Sequence, residues 1–257
     1  MSPIKDFKGI TYSFRKLVSC VSRNYRFQLF IIGCILIPIA IPFSAKAQHG
    51  SSEYWMFLTS NFRLNERIDL LTDAQRRLEN HLAPTSTILL RAGVAYNIND
   101  NHAVAIGYAF KGDWESAEDG RMYIPENRIY QQYQYEKTIG RAELEVRTRL
   151  EERFIQENET LFSLRARLFA SIIIPVFANS DFSKGPFVGL QDEIFLNVWN
   201  KKHVNNHVLD QLRPYVSIGY RYNPKMESSF EYGRITEQNE SSRQTSNIFR
   251  LSLTTSF

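Results

Sequence analysis

The stretch Ala142–Phe154 reads AELEVRTRLEERF, and most of its side chains fall into an apolar set and a charged set at alternate positions. A helical repeat of 3.6 residues would mix the two sets, whereas a repeat of two separates them. The segment is therefore predicted to be a β-strand with one apolar face and one ionic face. The apolar positions are Ala142, Leu144, Val146, Leu150 and Phe154, and the charged positions are Glu143, Glu145, Arg147, Arg149, Glu151 and Arg153.

Ten further segments alternate in the same way and are separated by turn residues such as Gly140 and Asn223-Pro224. We find no repeat of fixed period and no linker, so residues 48–257 are predicted to form a single all-β domain. The segments are Glu53–Leu64, Arg67–Arg77, Ser86–Ile98, His102–Lys111, Glu126–Lys137, Leu161–Pro175, Val188–Trp199, Leu209–Tyr222, Met226–Glu237 and Asn247–Phe257.

The charge density of the polar faces separates two all-β architectures. The polar face of a soluble sandwich meets water, whereas these rows of Arg and Glu on successive strands suit the inside of a closed barrel whose apolar face meets lipid. We predict a polar network in the lumen, formed by Glu126, Arg128, Gln132, Glu143, Glu145, Arg147, Arg149, Glu151, Arg153, Arg165, Arg167, Glu193 and Arg213.

The length of the segments also favours a closed antiparallel up-and-down transmembrane barrel. Tilted strands of about 10–14 residues cross an outer membrane, and closure removes exposed strand edges. We count eleven segments, although single-chain bacterial barrels have even numbers, so the prediction is about 10–12 strands. At that size side chains can largely fill the lumen.

The first 47 residues have the order of a cleaved signal peptide. A basic region ends at Arg26, an apolar run covers Phe27–Phe43, and Ala45-Lys46-Ala47 forms an A-x-A cleavage site. Two alternatives are a membrane-spanning helix, for which Pro38 and Pro42 are unfavourable, and a lipoprotein signal at Cys34. The predicted location is the outer membrane of a Gram-negative cell, reached by export.

Charge and cysteine content argue against a nucleic-acid-binding protein and against a disulfide-rich protein. Residues 1–47 hold seven of the 31 Lys and Arg and one of the 27 Asp and Glu, so the rest of the chain carries 24 basic and 26 acidic side chains, a net charge of −2. A nucleic-acid partner therefore has no support. The two Cys, Cys20 and Cys34, both lie in the leader, so no disulfide framework is expected.

The last strand ends in an aromatic residue. Phe249, Leu251, Leu253 and Phe257 share one parity, as in the signal that the barrel assembly machinery reads on outer-membrane proteins. The predicted partners are thus outer-membrane lipid and, during biogenesis, that machinery.

Several runs of sequence resemble a known family. They are Glu126–Gln132, Arg147–Phe154, Arg165-Ala166-Arg167 before Ile174-Pro175, Asp192–Asn197, and Arg213-Pro214-Tyr215 leading to Gly219-Tyr220. They are similar to domain-of-unknown-function family 2490, a group of outer-membrane barrel proteins of Bacteroidota-type bacteria. The resemblance covers most of the chain after residue 47. It implies the fold and the location and implies no activity.

Few residues of the sequence are candidates for catalysis or metal binding. His203 and His207, followed by Asp210, could together bind a metal or act as a base, but a solvated polar loop is the favoured interpretation; His49, His81 and His102 also fall in loops or at strand edges. The acidic stretch Gly112–Ile124 could attract Ca²⁺, yet its spacing fits no EF-hand, and we predict a solvated loop. No G-x-S-x-G or phosphate-binding Gly loop occurs. We therefore predict no catalytic residue, no metal and no cofactor.

Three functional hypotheses follow. The favoured one is a structural or small-solute- or partner-binding barrel, not an enzyme, whose lumen is largely plugged by Arg/Glu ion pairs. The second is a small channel or transporter for polar solutes. The third is an outer-membrane hydrolase that uses His203 or His207.

Overall fold

A computed structural model describes residues 51–79, 85–117 and 120–257. The predicted signal peptide, both Cys, His49 and His81 lie outside the described residues. Within the described ranges, no helix is both long enough and apolar enough to cross a membrane.

The described residues form twelve strands and one 3-10 turn, Lys201–His203. The strands are β1 Ser52–Arg63, β2 Ile68–Glu79, β3 Thr85–Asn99, β4 His102–Ala117, β5 Gly120–Ile139, β6 Ala142–Gln156, β7 Thr160–Pro175, β8 Gly185–Trp199, β9 Leu209–Leu212, β10 Tyr215–Asn223, β11 Met226–Gln238 and β12 Arg243–Ser256.

These strands close into one barrel in chain order. Each strand from β1 to β8 pairs antiparallel with the next, while β9 and β10 both lie between β8 and β11. The two short strands therefore occupy a single position, and the described strands make eleven positions around the barrel. The prediction of a closed all-β barrel of about 10–12 strands with a charged interior is confirmed.

The closing pair is parallel, which makes the barrel mixed. β1 and β12 run side by side from Ser52 opposite Asn247 to Asn61 opposite Ser256. With an odd number of alternating positions, the first and last strands must point the same way. The expectation of an even number and of antiparallel pairing throughout was therefore wrong, and the count of eleven is correct.

The break between β9 and β10 has a local cause. Pro214 has no N–H group to donate to a neighbouring strand, so the ladder is interrupted there. The neighbouring Arg213 still exchanges backbone hydrogen bonds with Glu193 on β8, at 2.9 and 3.3 Å. The sequence segment Leu209–Tyr222 is thus one position of the barrel formed by two strands.

Alternation assigns the two faces of the wall. Charged residues of β5–β8 line an interior cavity, and apolar residues at the alternate positions are exposed on the outside. Examples from strands around the barrel are Leu58, Val94, Ile106, Ile129, Leu168, Val188, Ile218, Phe230 and Leu251.

The acidic stretch Gly112–Ile124 is not the solvated loop that we predicted. β4 continues to Ala117 and β5 begins at Gly120, so the described part of this stretch belongs to a long hairpin. Asp113 accepts a hydrogen bond from Thr87 Oγ1 at 2.7 Å and pairs with Lys111. The Asp113 carboxylate therefore binds side chains of β3 and β4.

Candidate functional site

A network of ion pairs covers the inner wall formed by β5–β8. At one edge, Glu126 receives two hydrogen bonds from Arg128, both at 2.7 Å, and two from Arg153, at 2.6 and 3.2 Å. Both arginines use the Nε and Nη2 donors, the forked geometry that strengthens a guanidinium–carboxylate contact. All three side chains are buried.

Glu151 is the centre of this network. Its carboxylate lies 2.7 Å from Arg165 and 2.6 Å from Arg167, with Arg149 and Arg128 at 3.8 and 3.9 Å. Only 2% of the residue is exposed. One carboxylate thus faces four guanidinium groups in a site that water hardly reaches.

The network continues towards β8. Arg167 bridges Glu151 to Glu193 at 2.7 Å, and Arg147 connects Glu193, at 3.9 Å, to Glu145, at 3.5 Å. Eleven of the thirteen residues that we predicted for the lumen belong to this connected set: Glu126, Arg128, Gln132, Glu145, Arg147, Arg149, Glu151, Arg153, Arg165, Arg167 and Glu193.

The other two predicted residues lie inside the barrel but have different partners. Glu143 pairs with Arg221 at 2.7 Å, near the end of the barrel where β1 finishes. Arg213 contacts no carboxylate among the described residues, and its guanidinium lies over the rings of Phe195 and Trp55. Residue type and alternation place a side chain inside the barrel, but the strand register decides which groups meet.

A loop folds over the interior at the end where β1 begins. In the segment 200–208, Asn205 is buried and donates to Asp210 at 2.8 Å and to the Gln238 carbonyl at 2.6 Å, and its own Oδ1 accepts from Asn197 at 3.0 Å. Asp210 in turn pairs with Arg165 at 3.0 Å. The loop is therefore tied to the ion-pair network through Asp210, a residue not included in the predicted network.

A second loop folds inwards at the opposite end. Phe182, in the segment 176–184, is buried, and the Arg221 guanidinium lies 3.9 Å from the centre of its ring. Within this loop the backbone N–H and the hydroxyl of Ser183 both donate to Asp181, which lowers the pKa of that carboxyl group. The buried Phe182 ring thus anchors this segment at its end of the barrel.

The barrel interior holds a cavity of about 1230 Å³ that is partly open to the outside. The side chains that line it are mostly charged or amide groups from all around the barrel. The lumen is therefore not filled from end to end, and the predicted plug is limited to the ion-pair wall of β5–β8.

The histidines contact backbone carbonyls and a tyrosine. His203 Nδ1 lies 2.8 Å from the Phe162 carbonyl oxygen, and His207 Nε2 lies 3.2 Å from that of Glu240. His102 Nδ1 lies 2.6 Å from the Tyr133 hydroxyl. In the described part of the chain, no group of three or more His, Cys, Asp or Glu side chains is arranged to hold a metal ion.

The predicted assembly residues line the last strand. Leu251 is exposed on the outer face, Phe249 stacks on Tyr54 with ring centres 5.4 Å apart, and Leu253 shares their parity. Phe257 stacks on Phe62 at 5.4 Å, next to the closing pair of strands.

Comparison with known proteins identifies the family of the chain. Residues 52–246 match the family described as Protein of unknown function (DUF2490). The chain belongs to this family. No curated protein and no solved structure matches it. The match includes every predicted lumen residue, so the family resemblance of the sequence is confirmed, and the family carries no assigned activity.

Proposed function

We propose that this chain is an integral outer-membrane barrel that binds a small polar solute inside and has no enzymatic activity. The observation that carries the proposal is the apolar exterior, formed by large exposed apolar side chains of β1, β3–β8 and β10–β12. Water-soluble proteins rarely expose a continuous apolar patch of more than a few hundred Å². An apolar outside and a charged inside are the arrangement of a transmembrane barrel.

Three features of the sequence support export to that membrane. They are the leader with its A-x-A site, the alternating strands and the aromatic end of the last strand. In this proposal, signal peptidase removes residues 1–47, the barrel assembly machinery inserts the chain, and lipid covers the outer face.

A depth test distinguishes a lipid-facing wall from a wall in water. Ile106, in the middle of the wall, and Ile98, beside a turn, both point outwards and are 59% and 53% exposed. Ile106→Lys is expected to lower the free energy of unfolding in lipid vesicles by about 2–4 kcal/mol, and Ile98→Lys by about 0–1 kcal/mol. Equal, small effects of the two changes, with wild-type protein soluble without detergent, would contradict a membrane location.

The loop 200–208, which lines the cavity with His203, Val204 and Asn205, favours solute binding over conduction. We expect the wild-type protein to give no steady single-channel conductance in planar bilayers. Replacing residues 201–207 with a Gly-Ser linker removes Asn205 from the interior and is expected to produce conductance, and replacing the exposed turn 64–66, which does not line the cavity, serves as the control. Steady conductance of the wild type would favour the channel hypothesis.

The positions of the histidines support the absence of a hydrolase site. A catalytic His is oriented by a carboxylate or amide towards a nucleophile. His203 and His207 instead each place a ring nitrogen against a backbone carbonyl. An activity on lipid or peptide substrates that His203→Ala or His207→Ala abolishes would overturn this part of the proposal.

A further inference from the structure

Three arginines meet on an aromatic surface on the side of the interior where the barrel closes. The guanidinium carbon of Arg77 lies 3.9 Å from the centre of the Trp55 ring, and that of Arg213 lies 5.3 Å from the same ring. Arg250 lies 4.3 Å from the centre of the Tyr215 ring. We call Arg77, Arg213 and Arg250 the arginine triad.

Two members of the triad have no counter-charge in contact. Arg250 pairs with Glu231. Among the described residues, Arg77 and Arg213 form no ion pair, and each donates from Nη2 only to a glutamine, Gln75 and Gln211 respectively. On the opposite wall, by contrast, every fork of Arg128, Arg153, Arg165 and Arg167 ends on a carboxylate.

The triad also presents donors that have no acceptor. The Nε atoms of Arg77, Arg213 and Arg250 are all buried without a hydrogen-bond partner. The hydroxyl of Tyr215 is also buried without a hydrogen-bond partner, and only 4% of this residue is exposed. Four donors around one aromatic surface therefore lack an oxygen to bind.

The position of the Tyr215 hydroxyl is fixed by its surroundings. The ring lies so close to Gly233 that a Cβ at that position would fall 2.2 Å from Tyr215 Cδ1. On its other face the ring carries the Arg250 guanidinium. The tyrosine is thus held between the barrel wall and the triad.

The triad opens onto the interior cavity. Trp55, Tyr215 and the three arginines all line the same volume of about 1230 Å³. A buried donor without an acceptor destabilises the folded state, and an uncompensated buried charge does so more strongly. An anion that offers several oxygens would remove both penalties, and guanidinium groups recognise carboxylate and phosphate oxygens best.

We propose that the arginine triad and the Tyr215 hydroxyl bind the oxyanion group of a small solute, a carboxylate or a phosphate, inside the barrel. The negative group lies between Arg77 and Arg213, and Arg250 Nε and the Tyr215 hydroxyl donate to its remaining oxygens. This inference deepens the solute-binding part of the proposed function and rests on it.

The test uses the full chain purified in detergent micelles. Its thermal midpoint is followed by tryptophan fluorescence in sodium phosphate, sodium acetate and sodium chloride at equal ionic strength. A bound ligand stabilises the folded state according to its concentration. We expect phosphate or acetate to raise the midpoint saturably above that in chloride; a response to phosphate alone or to acetate alone identifies the class of oxyanion.

Variants show whether the triad is responsible for the rise of the thermal midpoint in oxyanions. The double variant Arg77→Gln/Arg213→Gln is expected to lose the response and, in chloride, to be at least as stable as the wild type, because two unpaired charges are gone. Tyr215→Phe, which removes only the hydroxyl, is expected to weaken the response several-fold. Arg147→Gln is the control, since this interior arginine already has carboxylate partners, and it should keep the full response.

The proposal is overturned if no oxyanion stabilises the wild type, or if the double variant or Tyr215→Phe responds as the wild type does. The outcome is independent of the depth test. A barrel that passes the depth test but ignores oxyanions refutes only the triad site, whereas a triad that responds in a chain without lipid contact refutes only the location.

Discussion

Glu151→Gln is expected to lower the free energy of unfolding by about 3–5 kcal/mol, which is the usual effect of removing one partner from a buried ion pair. The amide has nearly the same shape but carries no charge, and it would face the two close guanidinium groups of Arg165 and Arg167 and the two more distant ones. The measurement is urea unfolding in lipid vesicles, followed by tryptophan fluorescence.

A matched control distinguishes the loss of a network charge from the loss of an exposed negative charge. Glu157 lies exposed in the turn between β6 and β7, so Glu157→Gln should change the unfolding free energy by no more than about 0.5 kcal/mol. A double variant Glu151→Gln/Arg167→Gln should lose less than the sum of the two single changes, because the pair is removed together. If Glu151→Gln were as mild as the control, the network would contribute little to stability.

Much of this fold follows from alternation alone. Side chains on a strand point to opposite faces, so the parity of Ala142–Phe154 predicts which residues line the interior before any pairing is known. Tyr130 has the same parity as Arg128 and Gln132 and, like them, lines the cavity. The eleven segments also correspond to the eleven positions of the barrel.

The pairing of charges depends on three-dimensional register and could not be predicted in the same way. Arg213 has the residue type and the parity of a network member, yet its guanidinium lies over the rings of Phe195 and Trp55 rather than beside a carboxylate. Alternation identifies the face of the wall, but a shift along the strand changes the partner.

The conformations of the two inward-folded loops also could not be predicted from the sequence. Asn205 and Phe182 lie in segments without periodicity, and each is held by a partner distant in the sequence, the Gln238 carbonyl and the Arg221 guanidinium respectively. Loop conformation is set by such tertiary contacts and not by a local pattern. The sequence also predicted a lumen largely plugged by Arg/Glu ion pairs, whereas the structure has a cavity beside the ion-pair wall.

Gly107→Ala is also expected to destabilise the protein, with a loss of about 1–3 kcal/mol in unfolding free energy, typical of inserting a methyl group into a packed interior. A Cβ at Gly107 would fall 2.3 Å from Cζ of Tyr130 and 2.6 Å from the Ala92 carbonyl oxygen. The ring cannot move inwards freely, since the Arg149 guanidinium lies 4.4 Å from its centre on the network side. The tyrosine, only 3% exposed, is confined between the wall and the network.

The control for this change is Gly189→Ala, which is also on an inner face. Its nearest atom would be the Ser217 hydroxyl oxygen at 2.5 Å, and the next lies at 3.5 Å, so rotation of one hydroxyl group relieves the contact. We expect the free energy of unfolding of this variant to lie within about 0.5 kcal/mol of that of the wild type.

In the double variant Gly107→Ala/Tyr130→Ala, the loss should be smaller than the sum of the single losses, because the ring contact is gone while the Ala92 contact stays. Equal stability of Gly107→Ala and Gly189→Ala would mean that Tyr130 moves without displacing Arg149. Tyr130 would then not connect the barrel wall to the ion pairs, and the network could be altered without loosening the wall around it.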